Sequence, residues 1–564
     1  MRSARFSGLL RFCFAVGIAA LALVACQQGP MSPAEAETTL ERLAKGIRWS
    51  EARVTTGADV EAPRERSVAE TLPDIEKYPF VVQPRIGSDV VSVEIFSSTE
   101  KSGPGTDGCL VEIANEFNSR GARIAGGKTA QVAIRSIPSG TAYEYIAYGK
   151  YLPDAFTPSN HLWIRMVEAA GVETIAVSER LVGNTAGIVM KEGVAKSLEK
   201  TYGSVSVKTV IDAVVGGKIT MGYTNPFASS TGLNFLVTVL STFAEGDEGR
   251  MLSAEVASAF EAFQKGVPFV SLTTMQMRDS VEKGGSLDAF IMEYQTFVNT
   301  AALKAGYRFV PFGYAHDNPL YAVGGPSAEK LEALKLFAAF TREPRAREIA
   351  ERYGFNRDLG YKPLSPPPSG QTLARAQMLW KEKKDLGQPI LAVFLSDVSG
   401  SMAGARIKRL KEALAAGSAF IDSRNSIGVA TFASTVTKVL PIRKFDETQR
   451  SLFVAAVQQM NAATQTAMYD GIVVALQMLL EAKRSVPEGK PMLFVLTDGE
   501  TNAGLTYARV SSVIAGLGVP IYTISYGEDV SELKRLSSLN EAASLKADIE
   551  DIAYQIGALL NAEM

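Results

Sequence analysis

Apolar residues fall along this chain in two rhythms, and the way they alternate predicts an α/β protein. Residues 12–23 form one short apolar block directly after Arg2, Arg5 and Arg11. From 27 to about 85 no period is sustained. Pro30, Pro33, Pro63 and Pro73 are scattered there among Ala, Glu, Thr and Arg, and only 34–49 has the spacing of a short amphipathic helix. At about Asp89 the pattern changes. Residues 90–96 are a β-rich apolar run, followed by a Ser-Ser-Thr-Glu stop, a Gly/Pro loop and a helical pattern at 110–118. Further β-like runs lie at 131–137, 174–177, 188–190 and 219–223, with helical stretches at 194–202 and 233–244. Strand and helix alternating over this length predict mostly parallel sheets.

Pro366, Pro367 and Pro368 make the sharpest break in the chain. Three prolines cannot continue a helix or occupy a central strand, so a stiff, polyproline-like connector is expected, with a short charged helix after it at 373–384. Beyond Pro389 the runs 390–395 and 492–496 are apolar throughout, as in strands covered on both faces. Strand-like 427–432, 436–440 and 521–525 complete a second α/β unit.

Composition narrows the picture. A chain of 564 residues is too long for one core, so two or more domains are expected. A formal net charge of −2 gives no reason to expect nucleic acid as a partner. Two His and three Cys build neither a zinc cluster nor a disulfide framework. Cys109 opens an apolar helical pattern and reads as a small buried hydrophobe.

The basic start and the short apolar block read as an export signal rather than a membrane span. The block ends in Leu23-Val24-Ala25-Cys26, which resembles the bacterial lipoprotein box. The resemblance implies a multiply acylated Cys26 and hence a firm lipid anchor. Gln27 in place of Asp implies the outer membrane if the cell has two. The expected location is therefore exported and lipid-anchored, at the outer membrane or the outer face of the cell membrane.

The C-terminal unit carries the sharpest chemistry. Its first buried strand delivers Asp397-Val398-Ser399-Gly400-Ser401, a second loop holds Gln465 to Gly471, and another buried strand delivers Thr497-Asp498-Gly499-Glu500. Ligand sites in such sheets lie beyond the strand C-termini. Helix N-capping explains one Ser, Thr or Asp per loop, but not five polar residues on three loops. The three loops resemble those of von Willebrand factor A domains over about 389 to the C-terminus. Asp397, Ser399 and Ser401 match the D-x-S-x-S motif, Thr466 the second-loop Thr, and Asp498 the T-D-G Asp. The resemblance implies a Rossmann-like fold with a mostly parallel central sheet and a metal ion-dependent adhesion site. Such a site would hold Mg²⁺ or Mn²⁺ on oxygen ligands and keep a position open for a protein partner's carboxylate. No His, Cys or Lys near these loops offers a base or nucleophile, so the site reads as binding rather than catalytic.

The central region resembles bacterial extracellular solute-binding proteins of the two-lobed type. The stretches that carry this include Ser136 to Gly140, Tyr151 to Ser159, Gly222 to Gly232, Met292 to Gln295 and His316 to Pro319. The resemblance implies a cleft between lobes, and the candidates for lining it are Ser97, Ser98, Ser139, Ser229, Ser230, Thr231 and Glu293. Hydroxyls at helix starts suit an oxyanion, although Ser97 with Glu100 equally fits a capping box. Glu293 and Asp317 point instead to a cation or amine. His161 reads as a packed or capping residue, and His316 as a ligand candidate through its polar neighbours.

The expected organisation is a lipoprotein signal peptide over 1–25 and a partly disordered tether over 26–85. A solute-binding domain follows over 86–362, then a Pro-rich linker with a short helix over 363–388, and a von Willebrand factor A domain over 389–564. The expected function is a membrane-anchored binding protein that docks a protein partner through a divalent cation and captures or senses a small solute or oxyanion. The alternative is the solute receptor of a transport system, with the C-terminal domain as an accessory.

Overall fold

The computed structural model describes residues 31–55, 68–267, 269–271, 273–274, 277–278, 287–384, 388–462, 465–526, 531–540, 542, 544–547 and 551–564. Cys26 and residues 1–25, expected to be an export signal, lie outside the described residues. No described helix is long and apolar enough to cross a membrane.

The central region folds as two lobes, each around its own sheet. Among the described residues, lobe one has six strands in the order Phe80–Val82, Thr129–Ser136, Val90–Ser97, Ala155–Thr157, Leu320–Val323, Thr174–Ser178. Lobe two has five, in the order Tyr307–Pro311, Ala186–Lys191, Ala289–Glu293, Met221–Thr224, Phe269–Ser271. The chain enters lobe two after Ser178 and returns before Leu320. The two crossing segments pair at Asn184 and His316. Ala186–Lys191 and Tyr307–Pro311 carry the chain in and out, so they run antiparallel. Lobe one also has antiparallel pairs, at Phe80–Val82 and on both sides of Leu320–Val323, so both lobes have mixed sheets where mostly parallel ones were expected.

Among the described residues, the C-terminal domain has a seven-stranded sheet. Ile390–Asp397 lies at its centre between Ser426–Phe432 and Lys490–Thr497, parallel to both. Its side chains alternate between the two faces. Ile390, Ala392 and Phe394 pack under the helices Ala405–Gly417, Glu447–Gln458 and Ile552–Glu563, while Leu391, Val393 and Leu395 face Met468–Ser485 and Tyr507–Leu517. The sheet is mostly parallel, with only Val436–Lys444 running against its neighbour Ser426–Phe432.

Two segments depart from their expected roles. The described part of the supposed tether is built into the fold. Ser32 caps a Pro33–Lys45 helix whose Ala36 and Leu40 are fully buried in the C-terminal core. Trp49–Glu51 then adds an edge strand parallel to Val436–Lys444, and Lys438 Nζ lies 3.9 Å from the Trp49 ring centroid. Further on, Tyr145 donates from its hydroxyl to Pro73 O (2.6 Å), and Leu72 and Ile75 enter the solute-domain core. The composition looked like a linker because so few apolar residues are needed to cover an edge that a larger sheet already presents.

The supposed linker is likewise packed. Leu364 N–H donates to Gly313 O (2.9 Å). The following helix, Gly370–Lys383, lies across both lobes. Gly370 sits against Arg165 O of lobe one, where a Cβ would come within 2.0 Å. Gln377 Nε2 donates to Pro226 O, and Trp380 Nε1 donates to Tyr223 Oη in lobe two. Leu373, Ala376 and Trp380 belong to the same core as the lobes.

Candidate functional site

Four of the five residues expected to hold a metal, Asp397, Ser399, Ser401 and Asp498, meet at the C-terminal edge of the large sheet. Ile390–Asp397 ends with Asp397 fully buried. Its Oδ1 accepts from Ser399 N–H (2.7 Å), and its Oδ2 accepts from the Thr497 hydroxyl. Ser399 Oγ lies 3.0 Å from Ser401 Oγ, and Ser401 Oγ donates to Asp498 Oδ1 (2.7 Å). Asp397, Ser399, Ser401 and Asp498 thus form one hydrogen-bonded network. Burial pushes the Asp397 carboxyl above its ordinary range, opposed by the Thr497 and Ser399 bonds, with the neighbouring Asp498 adding a smaller upward push.

Thr466 comes from the loop before Met468–Ser485, and residues just after Asp498 fix it. Its N–H donates to Asn502 Oδ1 (2.9 Å), and its carbonyl accepts from Asn502 N–H and Thr501 Oγ1. Asp470, in the first turn of that helix, accepts from Leu505 N–H (2.8 Å) and holds the same loop. Thr497, Asn502 and Asp470 were not singled out by sequence, because nothing in their spacing separates loop braces from ordinary polar residues. Arg406 was also missed. Its Nη1 lies 2.6 Å from Asp498 Oδ2 and 3.2 Å from Ser401 O. Its signal was only a basic residue in the first turn after the motif.

The donor set fits a hard divalent cation: two carboxylates and three neutral hydroxyls, all oxygen, on loops braced independently of any ion. Asp397, Ser399, Ser401, Thr466 and Asp498 would hold the metal, which would supply an electrophilic position for an incoming carboxylate.

The second candidate is the cleft between the lobes. Ser139, Ser229, Ser230, Thr231 and Glu293 line one cavity of about 30 Å³, together with Thr99, Glu100, Ser159 and Thr274. That volume is about the share of one liquid water. Ser97 and Ser98 do not reach the cavity. Ser97 is fully buried at its strand end, and Ser98 bonds to Glu100 and Lys101. Lys101 is also fully buried. Its Nζ donates to Thr157 O (2.8 Å), and burial brings its pKa down to about 8. Glu293 accepts from Thr231 Oγ1 and Asn184 Nδ2 and lies 2.8 Å from His316 Nδ1. Burial raises its carboxyl, helped by Glu100 and opposed by His316. His316 is fully buried between Glu293 and Asn160. Asp317 pairs with Arg180 (3.4 Å) and does not line the cavity, and His161 lies against Glu179 outside it. Cys109 is fully buried in the lobe-one core.

The lobes touch directly around this cavity. Gly140 N–H donates to Ala228 O (3.3 Å), Trp163 Nε1 donates to Ser230 Oγ (2.9 Å), and Gln295 Nε2 donates to Thr106 O (2.8 Å). Among the described residues, the Ser139 hydroxyl is buried with no partner.

Comparison with known proteins agrees with this division. Residues 102–356 match the bacterial extracellular solute-binding protein family, and residues 392–555 match the von Willebrand factor type A domain. The chain is 27% identical over 177 residues to inter-alpha-trypsin inhibitor heavy chain H1 of Sus scrofa, covering 29% of this chain and 19% of that one. It thus spans less than a fifth of that relative's length. The sulfate-binding protein SubI of Mycobacterium tuberculosis H37Rv is 16% identical, covering 51% of this chain and 91% of its own, with a TM-score of 0.34. A von Willebrand factor type A protein from Catenulispora acidiphila is 20% identical, covering 31% and 42%, with a TM-score of 0.28. The chain carries an extracellular solute-binding domain followed by a C-terminal von Willebrand factor type A domain.

Proposed function

From this pairing of a solute-binding domain with a von Willebrand factor type A domain, we propose a membrane-anchored binding protein that works outside the cytoplasm. The C-terminal domain binds Mg²⁺ or Mn²⁺ and docks a protein partner through it, while the two-lobed domain captures or senses a small ligand. Cys26 is the proposed lipid attachment point. The observation that carries the reading is the convergence of Asp397, Ser399, Ser401 and Asp498 in one network, with Thr466 braced beside it by the loop that bears Asp498. Most of these donors are neutral, so the metal keeps its electrophilic character and an acidic group on the partner completes its shell.

In the cleft, the unpartnered Ser139 hydroxyl supports a ligand site. Two carboxylates, Glu100 and Glu293, line the cavity while Lys101 does not. Lys101 Nζ lies 3.8 Å from Glu100 Oε1 and His316 Nδ1 lies 2.8 Å from Glu293 Oε1, so each carboxylate already has a basic neighbour, and this supports a small polar ligand without choosing its charge. The packing of Gly370–Lys383 on both lobes favours sensing over transport delivery, because the cleft cannot open without disturbing the segment that leads into the C-terminal domain.

The test is capture of partners by the full chain with Mg²⁺ or with chelator, in the native protein and in Asp498→Ala. The reading expects a partner retained only with metal and lost in the variant. Retention that ignores both chelator and the substitution refutes it.

A further inference from the structure

The metal loops already hold a cation that belongs to the chain. Both oxygens of Asp498 are engaged: Oδ1 accepts from Ser401 Oγ, and Oδ2 lies 2.6 Å from Arg406 Nη1. The same guanidinium nitrogen donates to Ser401 O (3.2 Å), so Arg406 touches two of the five donor residues. The Asp498 side chain is 1% exposed, whereas that of Arg406 is 42% exposed. The acid is thus fixed and buried, and its counter-ion is on the solvent side with room to leave. Arg406 stands in the first turn of Ala405–Gly417, immediately after the D-x-S-x-S loop. Among the described residues, no other basic side chain is within ion-pair distance of Asp498.

A divalent ion entering this cluster comes close to a guanidinium. Arg keeps its charge at every physiological pH, so the repulsion cannot be relieved by losing a proton. The side chain must swing away. We infer that Arg406 is an internal counter-ion that competes with the divalent metal for Asp498 and sets the affinity of the site. This rests on the proposed metal reading. Without metal, Arg406 balances the buried carboxylate and holds the Asp498 and Ser401 loops together. With metal, that contact is broken, and its cost is subtracted from the binding free energy. The device keeps the site weak towards the ion alone.

The test is calorimetric titration of the full chain with Mn²⁺, in the native protein, R406Q, R406K and R409Q. Arg409 lies one turn further on and pairs with Glu412 instead, so R409Q removes the same charge without touching the site. Competition of this kind falls in the usual range of coupling between two sites, and R406Q is expected to bind Mn²⁺ about 10-fold more tightly. R406K falls between R406Q and the native protein, and R409Q matches the native protein. Melting in chelator gives a second readout. R406Q melts below the native protein because Asp498 has lost its partner, and it gains more from added Mn²⁺. Equal affinity in native and R406Q proteins, or weaker binding in R406Q, overturns the inference while the metal site stands. An equal gain in R409Q attributes the effect to net charge and also overturns it. No Mn²⁺ binding by any of the proteins overturns the metal reading and the inference together.

Discussion

Leu40→Ala tests whether the N-terminal segment is part of the C-terminal domain. Leu40 is fully buried beside Ala36, on a helix packed between Met468–Ser485 and Tyr507–Leu517. Contact there is close: a Cβ at Gly516 would lie 2.8 Å from Met31 O and 2.9 Å from the Ala36 Cβ. So tight a seam cannot collapse onto a lost side chain, and truncating a buried Leu costs about 2–5 kcal/mol. In a domain of this size each kcal/mol lowers the melting temperature by roughly 2–4 °C. A central value of about 3 kcal/mol therefore predicts a fall of roughly 6–12 °C. Differential scanning calorimetry of the full chain reads it, and on the proposed metal reading the transition of the C-terminal domain is the one that shifts with Mn²⁺. Thr38→Ala on the exposed side of the same helix is the control and should stay within about 0.5 kcal/mol. If Leu40→Ala moves that transition no more than Thr38→Ala does, residues 31–55 are a tether after all.

Gly140→Ala should wedge the lobes apart, because the new methyl would lie 2.0 Å from Phe227 O. Solution scattering should show a larger radius of gyration, with stability lowered by about 1–3 kcal/mol; an unchanged radius would show that the lobes are not held by this contact. Glu144 in lobe one accepts from the Tyr554 hydroxyl of the last helix (2.8 Å), and burial pushes its pKa from 4.5 up to about 7. The folded state therefore holds a proton that the unfolded chain has released, so stability is highest below about pH 4.5 and falls as pH rises to about 7. The change is at most about 3 kcal/mol, and less where water reaches the side chain. Melting from pH 4.5 to 8 in native and Glu144→Gln proteins checks it, and the variant should lose this part of the slope while the buried Asp551 nearby keeps its own. Asp498→Ala should abolish Mn²⁺ binding by calorimetry. In chelator it should lower stability by no more than about 1 kcal/mol, because the Arg406 it releases is already partly in water.

By itself the sequence determined what local pattern can determine. Unbroken apolar runs at 390–395 and 492–496 require strands covered on both faces, and those strands deliver Asp397 and Asp498 to the same edge of the sheet. The alternating elements of the centre required α/β lobes, and five of the seven cleft candidates line one cavity. What the sequence could not carry is pairing between distant segments. Ser50 lies beside Thr437 in the C-terminal sheet, 387 positions away, and a strand of three exposed residues has no period to announce it. The Pro-rich stretch reads as a spacer because prolines end regular structure. Only the packed lobes show that the helix after it finds the Arg165 carbonyl on one side and Tyr223 on the other. Arg406 is the same case at the scale of one residue. Its charge is in the sequence, but its role follows from Asp498, 92 residues away, being buried where, among the described residues, only that guanidinium reaches it, and burial and proximity are properties of the folded chain alone.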